Sequence, residues 1–406
     1  MLKEYLLNFG YENSDIEIIV NTYPLCRHKE ETLYKKVKNI FEYLFQLGYT
    51  EEQLRKIGLN FPEIFSRTPK KIEERLKDIE SFGYTRKDAL KIFKDFPCVC
   101  SYSKVNIENK IMKIKSLGYS LDTVIKMTRS NPALLGLGEE NLNQKISDFI
   151  ELGYSKADVI KISKTFPNMY SYSMDTILQK IDDIILIGYS KKEVLKMIKT
   201  TPTILGLSID NITQTIEDFI LLGYTKDQII KLTRRVPSIL GRNSAELKQK
   251  VDDMALLGYK KEDVLKMTIM HPAIYTYNIN RIIQRIEDLI DLGYTKEQVL
   301  EITKYFPAIF GASIENLKEK IKYYDSIGLH EIAVITPKNL MQSIEVSYAR
   351  YEFYKSIDLD INIDDFTKLF IGRKKFEKQY KVDTTDLLKE YNYNNRGVVK
   401  CKSSTI

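Results

Sequence analysis

A chain of 406 residues with 43% hydrophobic side chains and no run of 18 or more apolar residues reads as a folded protein without a membrane span. Its net charge of +7 and sequence pI near 8.8 favour acidic partners without naming one. Four cysteines, scattered along the chain, exclude a disulfide framework and indicate a reducing compartment.

Residues 1–20 contain Glu4, Glu12, Asp15 and Glu17, unlike a signal peptide or a basic transit peptide, so such a leader is either lacking or already removed. Gly10 opens the first of a series of Gly-Tyr pairs, followed by Gly48, Gly83, Gly118, Gly153, Gly188, Gly223, Gly258 and Gly293. Gly328 opens a tenth, degenerate copy with Leu329 in place of the tyrosine. From Gly48 onward the spacing is 35 residues each time, and a proline (Pro24, Pro62, Pro97, Pro132, Pro167, Pro202, Pro237, Pro272, Pro307) follows fourteen residues after each of the first nine glycines. A fixed period of this length is the signature of a tandem array of supersecondary units.

Counting each glycine as zero, position two is Thr50, Thr85, Ser120, Ser155, Ser190, Thr225 or Thr295, usually with Asp, Glu or Gln three later. That pattern is a capping box and predicts a helix of about ten residues, which the proline ends. Apolar residues recur at positions six and nine, as in Val194 and Met197. A short apolar run follows (Thr203, Ile204, Leu205), and Ser or Asn at position twenty (Ser103, Ser173, Ser208, Asn243, Asn278, Ser313) can cap a second helix. In the Gly188 unit this helix places Ile212, Ile216, Phe219 and Leu222 on one face. The next glycine supplies a left-handed C-cap, and its tyrosine the accompanying hydrophobic contact. Such a helix pair cannot bury its apolar face alone, so neighbours must stack. The expected fold is all-α, a curved solenoid of about nine helix, proline-turn, helix units. Residues 1–47 read as an N-terminal capping repeat, 48–327 as the tandem repeats, 328–390 as a degenerate last repeat with a helical C-terminal cap, and 391–406 as a disordered tail.

Charge also follows the period. Position eight is Lys56, Lys91, Lys126, Lys161, Lys196, Lys231 and Lys266, broken only by Glu301, and position eleven is Lys94, Arg129, Lys164, Lys199, Arg234 and Lys304. The two positions are i, i+3 neighbours on one helix face. On the second helix, position 27 is Arg75, Lys110, Lys145, Lys180, Lys250, Arg285 and Lys320, beside glutamines at position 26 (Gln144, Gln179, Gln214, Gln249, Gln284). Asp78, Asp148, Asp183, Asp218, Asp253 and Asp288 stand at position 30. Stacking aligns these into ladders able to contact phosphate, and the position-27 pair could also read a base edge. The plainer reading is that positions eight and eleven satisfy the helix dipole while position 27 pairs with the Asp three residues on. The tyrosine that follows each glycine is expected to pack rather than stack on bases.

Catalytic signals are missing. Cys100 sits at position seventeen, where other units place Phe65, Leu135, Tyr170, Leu205 and Phe310, so it reads as a core substitution; His28, His271 and His330 are scattered. No phosphate-binding glycine loop, GxSxG elbow or HExxH occurs, and no metal or cofactor is expected.

The unit, with an apolar residue before each glycine (Leu152, Ile187, Leu222), Ser190 or Thr225 after it, and Pro202-Thr203-Ile204-Leu205 and its counterparts, resembles the repeat of the mitochondrial transcription termination factor (mTERF) family over about residues 10–337. The resemblance implies a superhelix with a basic inner surface that binds double-stranded DNA or, for some members, RNA, in organelle transcription, termination or ribosome assembly. A non-catalytic, monomeric nucleic-acid-binding protein is therefore expected, for double-stranded DNA first and RNA second, in a prokaryotic cytoplasm or an organelle matrix. A protein-binding scaffold is the alternative from another class. Beyond Pro337 the 35-residue register ends, and Arg373, Lys374, Lys375, Lys378 and Lys381 form the densest basic cluster.

Overall fold

A computed structural model describes residues 1–395. Among these the chain is a succession of helices and short proline turns without a strand, the all-α repeat array expected from the sequence. It divides into two compact units, Met1–Ile209 and Asp210–Ile406. In the first, the Gly153 repeat runs through a helix at Lys156–Thr165, a 3-10 turn at Pro167–Tyr170 and a second helix at Met174–Ile187. In the second unit, the Gly258 repeat does the same at Lys261–Met270, Pro272–Thr276 and Ile279–Ile290.

The boundaries have identifiable causes. Thr50, Thr85, Ser155, Ser190, Thr225 and Thr295 each accept from the backbone N–H three residues on, and the side chain there returns the bond. The residue before each proline is pushed out of the helical region, as Phe166 shows at φ −134°, ψ 75°. Ser103, Ser173, Asn243, Asn278 and Ser313 cap the second helices. All ten repeat glycines have positive φ, from 75° at Gly328 to 128° at Gly188. Gly153 N donates to Ile150 O at 2.9 Å and Tyr154 N to Phe149 O at 3.2 Å, the paired bonds of a Schellman cap. The Phe149 and Tyr154 rings complete that cap at 5.8 Å.

The glycine-linked tyrosines are buried, from Tyr11 to Tyr294, and within each unit the phenols of Tyr11, Tyr49, Tyr84, Tyr119, Tyr154, Tyr224, Tyr259 and Tyr294 reach into the following repeat. Where position ten is Thr or Ser, the hydroxyls pair, as in Tyr84 with Thr128 at 2.7 Å and Tyr119 with Ser163. Where position ten is apolar, as at Phe93 and Ile198, the phenol donates instead to the carbonyl at position seven, Leu90 at 2.7 Å and Leu195 at 2.8 Å. First helices of successive repeats also pack on one another within each unit. Val159, Ile162, Met169, Ile177, Ile181 and Ile184 are all buried, each contributing about 1.5–3 kcal/mol when fully covered.

Beyond Pro337 the repeat order persists further than the sequence period suggests. The Gly328 repeat has a first helix of only four residues, Ile332–Ile335, then its turn at Pro337–Met341 and a full second helix at Ile344–Ser356. The proline comes nine residues after the glycine instead of fourteen, and Asp358, at φ 54°, takes the left-handed place of the next glycine. Helices at Arg373–Tyr380 and Thr384–Glu390 follow. Of the segment expected to be a disordered tail, Tyr393 is buried with its ring 5.4 Å from Tyr348. Residues 396–406 lie outside the described residues.

Gly258→Ala and Gly153→Ala separate backbone strain from crowding. Both incur about 1–2 kcal/mol for a left-handed alanine, but at Gly258 the new Cβ also meets Leu300 Cδ1 at 3.0 Å, whereas at Gly153 nothing lies within 4 Å. Hydrogen exchange should show protection lost across the adjoining repeats in both variants, more in Gly258→Ala. Unchanged protection around Gly258 would remove the cap assignment.

Candidate nucleic-acid interface

The ladders of cations occupy different chemical situations. Position 27 is turned inward from Lys145 onward, whereas Arg75 pairs with Asp78 at 2.6 Å and Lys110 lies over the Tyr102 ring at 5.0 Å. Lys145 Nζ donates to Tyr172 O at 2.6 Å, Lys180 Nζ to Leu207 O, Lys250 Nζ to Tyr277 O at 2.6 Å and Arg285 Nη2 to Ala312 O at 2.7 Å. Each acceptor is the residue that ends the proline turn of the following repeat, where the 3-10 segment leaves carbonyls without intrahelical donors. Lys320 and Arg350 extend the series onto Leu340 O and onto Leu369 O and Ile371 O. In the Gly188 repeat the role falls to Thr215, whose hydroxyl lies 3.2 Å from Leu240 O and 3.4 Å from Arg242 O. Lys145 and Arg285 are only 8% and 7% exposed, and burial pulls the Lys145, Lys250 and Arg285 values below the usual range for their groups. The glutamines of position 26 bond the aspartate at position 30, as Gln179 does Asp183 at 2.8 Å. The charge and amide that the sequence sets side by side are thus both engaged within the protein.

Position eleven is partly engaged. Two of its cations cross to the Asp at position five of the preceding repeat, Arg129 to Asp88 at 3.6 Å and Lys199 to Asp158 at 2.9 Å, whereas Lys304 pairs with Glu301 on its own helix. The second pair holds the Asp158 carboxyl below its usual value, together with the Ser155 cap. Lys94 pairs with its neighbour Asp95 at 3.4 Å. Lys164, whose counterpart across the junction is Thr123, is exposed, as is Arg234.

Position eight differs again. Lys91, Lys126, Lys161 and Lys196 in the first unit, and Lys231 and Lys266 in the second, are exposed on the first helix and make no ion pair among the described residues. Only Lys56 is paired, with Glu52 at 2.7 Å. Because first helices stack within a unit, these ammonium groups repeat at the same register on adjacent helices.

The sequence reading passed over position three. Lys156, Lys191, Lys226, Lys261 and Lys296 each begin a first helix and are exposed. A cation at this end opposes the helix dipole, so five in succession serve no local purpose, and that mismatch is the signal that would have found them. Among the described residues no group of His, Cys, Asp or Glu could hold a metal, and no helix is long and apolar enough to cross a membrane.

Comparison with known families adds an independent finding. The family model described as mTERF matches residues 26–152, 130–221 and 210–350. No curated protein matches the chain.

A stability contrast tests the division between the ladders. Lys145→Met keeps the apolar stem but leaves Tyr172 O without its donor, costing about 1–3 kcal/mol, while Lys126→Gln should stay within about 0.5 kcal/mol. Urea unfolding of the two variants measures the difference; equal midpoints would show that the inward bond contributes nothing.

Proposed function

Since this chain belongs to the mTERF family, helical-repeat proteins that bind nucleic acid in gene expression and are generally non-catalytic, we propose that it binds double-stranded DNA through the lysines of position eight. The supporting observation is chemical selection among the cations: position 27, apart from Lys110 over the Tyr102 ring, and in part position eleven are committed to carbonyls and carboxylates, while Lys91, Lys126, Lys161, Lys196, Lys231 and Lys266 are exposed and make no ion pair among the described residues. Packed helices lie roughly 8–10 Å apart and duplex DNA rises about 3.4 Å per base pair, so stacked first helices offer about one lysine per three base pairs. That spacing suits a regular polyanion followed along its backbone. Exposed Lys164 of position eleven, three residues after Lys161 on the same helix face, widens this basic edge.

Phosphate contacts of this kind give affinity and position without sequence information. Replacing Lys126, Lys161, Lys196 and Lys231 by Gln should flatten the slope of log K against log salt by about 4 for duplex DNA, with helicity retained. Asp148, Asp183, Asp218 and Asp253 to Asn should leave affinity unchanged or slightly higher. A helical quadruple variant with an unaltered slope would exclude this row, and steeper salt dependence with duplex or single-stranded RNA than with DNA would move the partner to RNA.

A further inference from the structure

The grooves between second helices recur from repeat to repeat, so each copy is a control for the others. At the junction of the Gly223 and Gly258 repeats the groove is lined by Arg242, Glu246, Gln249, Lys250, Asp253 and Tyr277, among others. Its cations are satisfied: Arg242 Nη1 lies 3.2 Å from Glu246 Oε2, and Lys250 donates to Tyr277 O.

The matching groove between the Gly48 and Gly83 repeats has a volume of about 220 Å³ and is lined by Arg67, Lys71, Glu74, Arg75, Cys100 and Ser103, among others. Arg67 holds the place of Arg242, but Lys71 stands where Glu246 would partner it. The half-buried Arg67 guanidinium makes no hydrogen bond or ion pair among the described residues, and its Nε is buried without an acceptor. Arg75 holds the place of Lys250, yet it turns to Asp78 Oδ2 at 2.6 Å and its Nε is likewise buried and unpartnered. Native proteins seldom bury such donors without an acceptor. The acceptor they lack is negatively charged, because three cations meet two carboxylates here, Glu74 and Asp78, and the Cys100 thiol stays neutral, its pKa raised to about 12 by burial. Ser103 adds a hydroxyl that accepts from Asn106 N and keeps its hydrogen to donate. It is also the N-cap of the thirteen-residue helix Lys104–Ser116, whose positive dipole end meets the same groove. A planar guanidinium fork matches the oxygen spacing of a phosphoryl group.

We propose that this groove is a binding site for a phosphate monoester or inorganic phosphate, held by Arg67, Arg75 and Lys71 and separate from the lysine row on the first helices. Titration calorimetry of the full chain with inorganic phosphate at low ionic strength should give saturable binding, weakened at least tenfold by Arg67→Gln and by Lys71→Glu. Arg242→Gln, the same position in the satisfied groove, should leave it unchanged, as should Lys126→Gln. Because Arg67 has no partner among the described residues, Arg67→Gln should melt no lower than the parent in the absence of phosphate. Two further ligands separate the sources: a short oligonucleotide with a 5′-phosphate, compared with its 5′-hydroxyl form, and adenosine monophosphate, compared with adenosine. Preference for the phosphorylated member of the first pair identifies a nucleic-acid end, and of the second a mononucleotide. No saturable phosphate binding, an equal loss in Arg242→Gln, or no preference within either pair would overturn the proposal.

Discussion

The proline turns of the Gly153, Gly188, Gly223, Gly258, Gly293 and Gly328 repeats end in backbone carbonyls that their own repeat does not satisfy, and the preceding repeat supplies the donor. Part of the coupling between neighbouring repeats follows from that dependence. The turn is short because proline ends one helix and a capped Ser or Asn starts the next, which leaves its last carbonyls exposed to desolvation. A long side chain on the neighbouring second helix spans the junction, and it is Lys, Arg or, at position 215, a threonine close enough to reach. A second tether, the phenol of the glycine-linked tyrosine, also bonds into the following repeat. Neighbours are therefore coupled by directional bonds as well as by apolar burial, and stability is shared between repeats.

The helix boundaries were legible in the sequence because caps, prolines and left-handed glycines act locally, and the structure places Thr85, Phe166 and Gly153 in those roles. The continuation past Pro337 was hidden because a glycine-to-proline spacing shortened by five residues breaks the period, and Asp358 conceals the expected glycine. The inward turn of position 27 was hidden for a different reason. Periodicity shows that a cation recurs but not what faces it, and the acceptor of Lys145 lies 27 residues away in the following repeat. The same limit applied to Tyr84 and Thr128, 44 residues apart, although alternation of Thr with Phe93 and Ile198 at position ten carried the trace of that pairing.

Charge in this chain thus has a division of labour that net charge cannot express. Cations with buried stems and carbonyl partners hold repeats together; cations opposite Asp88 or Asp158 tie first helices across a junction. What is left over are exposed lysines of the first helices, at position eight and, at the helix start, at position three. A polyanion that follows a repeat array needs a regular and unencumbered row of this kind, and counterion release then makes salt the main control on its affinity.

The central claim, that the first-helix lysines contact nucleic acid while position 27 serves the fold, is open to lysine footprinting. The protein would be acetylated with and without duplex DNA and each lysine's labelling rate measured by mass spectrometry. The account predicts fast labelling of Lys91, Lys126, Lys161 and Lys196 in the free protein with protection on binding, and slow labelling of Lys145, Lys180 and Lys250 in both states. Fast labelling of Lys145, Lys180 and Lys250 that DNA suppresses, with position eight unaffected, would contradict it.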